Sequence, residues 1–196
     1  MKTAIITGTV VLALSAAPAF AEGQQARKSA KSEGKAKSDQ AFVMEAAKGG
    51  LAEVELGKLA GEKGSNDQVK QFGQKMVTDH GKANDELKSL AQSKNITLPA
   101  AVDPKDKALH DRLEKLSGDA FDRAYIQEMV KDHRKDVNAF KHESTAGKDP
   151  EIKSWASKTL PTLEEHLKQA QDASHAVATS GSAAGNRTTG TRGVKK

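Results

Sequence analysis

The 196-residue chain contains no cysteine, one tryptophan, one tyrosine and five phenylalanines. Without cysteine it forms no disulfide and cannot hold haem through a C-x-x-C-H motif, so its stability must come from packing, or from packing plus a ligand. The shortage of aromatic rings argues against stacking on single-stranded nucleic acid. No apolar run reaches the roughly 18 residues that a membrane-spanning helix needs. The run from Ala4 to Ala17 follows Lys2 and precedes Pro18 and the triplet Ala19-Phe20-Ala21. That order is the pattern of a secretory signal peptide over 1–21, with cleavage expected after Ala21 and a periplasmic or secreted mature protein. There is also no G-x-S-x-G and no glycine-rich phosphate loop after a strand, so no reaction is assigned.

The middle of the chain lacks an excess of basic residues. Segment 22–38 has five Lys/Arg against two acids, segment 174–196 has four and none, and 39–173 has 21 basic against 24 acidic residues. The net charge of +5 therefore belongs to the ends. A folded basic face for specific nucleic acid is not expected, whereas the basic tails suit contact with anionic envelope surfaces. Neither end carries enough large apolar side chains to order itself, so 22–38 reads as a flexible linker and 174–196 as a disordered tail.

Between them the apolar spacing predicts four principal helices. The first is capped by Ser38 or Asp39 and runs to about Glu62 through Phe42, Val43, Ala46, Leu51, Val54, Leu56 and Leu59, with Glu53 facing inward and Glu55 outward. Gly49 and Gly50 in its middle suggest the close approach of a neighbour. Asn66 caps the second helix, whose stripe is Val69, Phe72, Met76, Ala83, Leu87 and Leu90 with His80 near its centre. A short helix starts at Asp103-Pro104 and ends at Gly118. Asp119 caps the third principal helix, with Tyr125, Ile126, Met129, His133, Val137 and Phe140 inward. After Lys148-Asp149-Pro150 the fourth carries Ile152, Trp155, Leu160, Leu163, Leu167 and Ala170, with His166 at the stripe's edge and a kink expected at Pro161. The long second connection can run the length of a bundle, which makes the second and third principal helices parallel, as in a ferritin-like four-helix bundle.

A phrase occurs twice, as Met76-Val77-Thr78-Asp79-His80 and Met129-Val130-Lys131-Asp132-His133, and places matched polar groups on those two helices. At ~1.5 Å per residue His80 and His133 share one level, and Glu53, Glu128 and His166 share another roughly 7 Å away. Inward Glu and His are the ligand types a bundle offers to a hard or borderline cation, so Glu53, His80, Glu128, His133 and His166 form the candidate metal site. The residues three before the histidines are Val77, Val130 and Leu163. The Glu-x-x-His pattern of di-iron bundles is therefore missing, and the Met/His pairs suit copper better than iron, the two metals considered. Asp79 and Asp132 rotate toward the helix edge and are read as facing solvent, with support of a neighbouring histidine as the alternative.

Four phrases carry a family likeness: Ala46 to Ala60, Met76 to His80, Phe121-Asp122 to Tyr125 with Met129 to His133, and Leu160-Pro161 to His166-Leu167. Together they resemble the bacterial exported family called domain of unknown function 4142, over about 39–173. The resemblance implies a ferritin-like helical bundle, often exported, without an established activity. The expectation is thus an exported all-α bundle that binds a metal ion through its interior. The alternative is a non-catalytic envelope or stress protein acting through its surface and tails.

Overall fold

The structure is a computed structural model that describes the backbone of residues 20–185 and the side chains of residues 39–179. The reading of 1–21 as a signal peptide falls almost wholly outside the described residues. Contacts divide the chain into residues 1–34 and 35–196, and the account below concerns the second unit.

Five helices follow one another: α1 (Phe20–Lys63), α2 (Asp67–Ser93), α3 (Pro104–Glu114), α4 (Gly118–Ala146) and α5 (Pro150–Gly185). The four long ones form an all-α bundle, and α3 is the short helix inside the α2–α4 crossover. The α1–α2 hairpin closes tightly because two glycines face each other. A Cβ built on Gly73 would stand 2.7 Å from both Ala60 Cβ and the Gly57 carbonyl oxygen, a separation only hydrogen allows. Asp122 at the start of α4 locks the hairpin's turn, accepting from Ser65 N–H, Ser65 Oγ–H and Asn66 N–H at 3.0, 2.5 and 2.8 Å. Asn66 in turn accepts from Gln68 N–H and caps α2 as the sequence suggests.

Parallel packing of α2 and α4 is visible in two ring pairs, Phe72 with Tyr125 at 6.3 Å and His80 with His133 at 5.6 Å. Both pairs are 53 residues apart, which is also the spacing of the repeated phrase. Two hydrophobic clusters fill the bundle. One joins Leu56, Phe72, Met76, Phe121, Tyr125 and Met129 near the α1–α2 turn. The other joins Val43, Leu87, Phe140, Trp155 and Leu163 toward the opposite end. On every long helix one buried polar residue sits between the two clusters: Glu53, His80, His133 and His166.

Three expected boundaries change. The helical backbone of α1 already includes 22–38, so Asp39 caps nothing in its own helix; its Oδ2 accepts instead from Lys148 N–H at 3.0 Å and Asp149 N–H at 2.6 Å. Ser117, not Asp119, is the N-cap of α4, because Gly118 with φ +57 already supplies the turn into the helix. The last helix continues past Ala173 to Gly185 and buries Val177, and its helical assignment runs unbroken through Pro161. Residues 186–196 lie outside the described residues.

Candidate metal centre

Each long helix contributes one side chain to a buried polar layer. Glu53 is 1% exposed, His133 and His166 are 0%, and His80 is 6%. Helical Cβ atoms lean toward the N-terminus of their own helix, so on the antiparallel α1 and α2 the side chains of Glu53 and His80 lean toward each other. This closes the offset expected from counting residues. Glu53 Oε2 lies 2.9 Å from His80 Nδ1, and Oε1 lies 3.4 Å from His133 Nε2. The three imidazoles pack with ring centroids 5.6 Å (His80 to His133), 5.2 Å (His80 to His166) and 5.4 Å (His133 to His166) apart. The expected two levels are in fact one.

His166 lies at the centre of its stripe rather than at the edge. Leu163, His166, Ala170, Ala173 and Val177 are spaced by three or four residues and all are buried, while Leu167 is only half-buried.

The hydrogen bonds decide which ring nitrogen each histidine has free. His133 Nδ1 lies 3.0 Å from the Met129 carbonyl oxygen, which can only accept, so Nδ1–H donates and Nε2 keeps a lone pair. His166 Nε2–H donates to Asp79 Oδ2 at 2.8 Å, leaving Nδ1. His80 Nδ1–H donates to Glu53 Oε2, leaving Nε2. Those three remaining nitrogens, His80 Nε2, His133 Nε2 and His166 Nδ1, are buried and have no hydrogen-bond partner among the described residues, as does Glu53 Oε1. One ring nitrogen from each of the three histidines falls within 4.8 Å of the others. A ring with one N–H held by an oxygen and the other nitrogen unprotonated is the state in which imidazole binds a metal.

Electrostatics keep the rings in that state. Burial pushes His80 and His166 down to about 4, against the pull of Asp136 on His80 and of Asp79 on His166. Burial also lowers His133, opposed by Glu53. Burial raises Glu53 to about 8, although His133 works against it. Asp79 is a contrary case: burial alone would raise it, but its bonds from His166 and Lys75 hold it below the usual carboxylate range. A surface cleft of about 340 Å³, lined by Asp79, His80, Glu86, Thr159, Thr162 and His166, leads to the layer between α2 and α5.

Four of the five residues selected from the sequence therefore meet, and Glu128 does not. It is half-buried at the surface, paired with Arg112 Nη2 at 3.1 Å and Lys131 Nζ at 3.3 Å. Glu128 lies one residue before the buried Met129, a rotation of about 100° that carries it to the flank of α4. Asp79, expected at the solvent edge, is the partner of His166. Asp136 went unnoticed, although its place three residues after His133 puts both on one face. Both Met76 and Met129 are buried in the adjoining hydrophobic cluster.

The class is thus an all-α bundle with a buried Glu/His layer at mid-height. The chain belongs to the family described as Domain of unknown function (DUF4142), whose model matches residues 24–173. Among curated proteins none matches the sequence significantly. Among solved structures, CopM in the Cu(I)-bound form is similar with a TM-score of 0.57 and 19% identity, over 68% of this chain and 93% of that one. CopM in the Ag-bound form obtained by co-crystallization gives 0.57 and 21%, over 68% and 93%. A DUF305 fragment from Deinococcus radiodurans gives 0.61 and 12%, over 69% and 93%. At these identities the likeness is one of fold.

Proposed function

We propose that the protein binds a soft or borderline metal ion, copper above all, through His80, His133 and His166, with Glu53 as the carboxylate beside them. The observation that carries this reading is the set of three buried imidazoles, each with one nitrogen engaged by an oxygen and the other without a partner. Leaving such atoms unpaired costs about 1–3 kcal/mol each, a cost that a bound cation removes. Imidazole suits copper and zinc, while the absence of Glu-x-x-His speaks against a di-iron centre. Copper is preferred over zinc because solved structures of this fold include CopM with Cu(I) and with silver. Asp79 and the Met129 carbonyl orient their rings from outside the ligand set. We also take the protein to be exported, as its first 21 residues suggest.

The test is metal analysis of the protein purified without a histidine tag, followed by titration of the stripped form with Cu(I), Ag(I) and Zn(II). One Cu(I) or Ag(I) per chain, lost in H80Q/H133Q, supports the reading. Undiminished binding by that double variant overturns it.

A further inference from the structure

Glu53 has a second set of neighbours. A carboxylate oxygen from each of Glu53, Asp132 and Asp136 lies within 4.8 Å of the other two. Asp132 and Asp136 are one helical turn apart on α4, and both are half-buried. Asp136 reaches across to α1, where its Oδ2 stands 4.0 Å from the position a Cβ would take on Gly49. Gly49 is one turn before Glu53, so Asp136 lies on the side of α1 that carries Glu53.

Three carboxylates at such range repel one another unless a cation or protons lie among them. No lysine or arginine pairs with any of the three among the described residues, although Lys105 and Lys135 stand on the rim of the neighbouring cleft. Glu53 is the fully buried member, and its Oε1 has no hydrogen-bond partner among the described residues. That oxygen, which also stands 3.4 Å from His133 Nε2, is a second observation beside the acidic cluster, because a group so deeply buried should be satisfied. The cleft, of about 520 Å³ between α1, α3 and α4, includes Asp132 and opens on a different face from the one that reaches His80 and His166.

We propose that Glu53, Asp132 and Asp136 form a second, oxygen-only site for a hard divalent cation, joined to the histidine site by the shared Glu53 carboxylate. Oxygen donors select the Mn(II), Mg(II) and Ca(II) class, whereas the imidazoles a few ångströms away select softer ions. The bundle then holds two different ions in one layer, each with its own entrance. This reading does not depend on which ion the histidines take.

Mn(II) alone is the probe, followed by electron paramagnetic resonance of the free ion during titration of the metal-free protein. The expected result is a single bound Mn(II), with affinity reduced at least about tenfold in D132N/D136N and retained in H166Q. Silver titration should give the converse pattern, kept in D132N/D136N and weakened in H166Q. D136N alone serves as the second variant should the double one fold poorly, and circular dichroism checks each. No Mn(II) binding by the wild type, or equal binding after loss of the aspartates, overturns the second site. Loss of Mn(II) binding in H166Q would instead mean one mixed site. No silver binding by the wild type, with Mn(II) binding intact, would count against the histidine reading alone.

Discussion

Asp79 touches no candidate ligand atom, yet it determines how His166 presents itself. In D79A the His166 ring loses the acceptor for Nε2–H and is free to change tautomer, so Ag(I) affinity should fall about 10- to 100-fold while the stoichiometry is kept. A competition titration reads both. The metal-free protein should also report its buried groups through pH. Glu53 and Asp136 are each raised to about 8, with burial the main cause, so folding favours their protonated forms and that stability, full below their ordinary values of 4.5 and 3.8, is lost as pH rises from about 4 to about 8. His80 and His166 are depressed to about 4, so their contribution is present above the unfolded value of 6.5 and is lost as pH falls through about 4. Between about 4 and 6.5 the two trends oppose each other and above about 6.5 only the carboxyl trend remains, so urea midpoints should change little across the first range and fall between about pH 6.5 and 8. The sequence exposed the histidines because they interrupt apolar stripes. It did not separate Glu53 from Glu128, since two inward-looking glutamates differ only in a rotation that helix boundaries leave uncertain. Asp136 was hidden by its charge, which reads as surface until the packing of α4 against α1 is known.

The helices depend on a few contacts at their ends and at one crossing. Asp122 satisfies three donors of the α1–α2 turn, so D122A should lower stability by about 2–3 kcal/mol, as loss of hydrogen bonds to a charged group does. At the crossing, G73A should cost about 1–3 kcal/mol by overpacking against α1, whereas G81A, with nothing within 4 Å of the added Cβ, should gain about 0.5–1 kcal/mol from helix propensity. Thermal melting of the two variants gives opposite signs if the close crossing is as described. Of the caps read from residue type, Asn66 bonds as expected, to Gln68 N–H, and Asp103, read as the start of the short helix, accepts from Lys105 N–H. At Asp119 the backbone turn at Gly118 intervened, and at Asp39 a tertiary partner did. Asp39 has the right chemistry for a cap and spends it on the α4–α5 turn, and no local pattern near residue 39 contains that information.

The bundle's parallel α2–α4 register could be read from the repeated phrase, because its spacing and that of the packed ring pairs agree. The extension of α5 to Gly185 could not, since Ala173 and Val177 alone make a weak stripe among small polar residues. Deleting residues 186–196 should leave Ag(I) stoichiometry and melting temperature unchanged, which calorimetry can check, and N-terminal sequencing of exported protein should begin at Glu22. The layer also divides evenly between two hairpins: Glu53 and His80 belong to α1–α2, His133 and His166 to α4–α5. Each hairpin joins residues close in sequence, while bringing α2 beside α4 closes the long crossover, so the hairpins should form first and dock last. The four side chains then have no common neighbourhood until the final step of folding. A metal ion added during refolding would accordingly leave the early rates alone and slow only the parting of the two hairpins, acting as a clasp on a finished box.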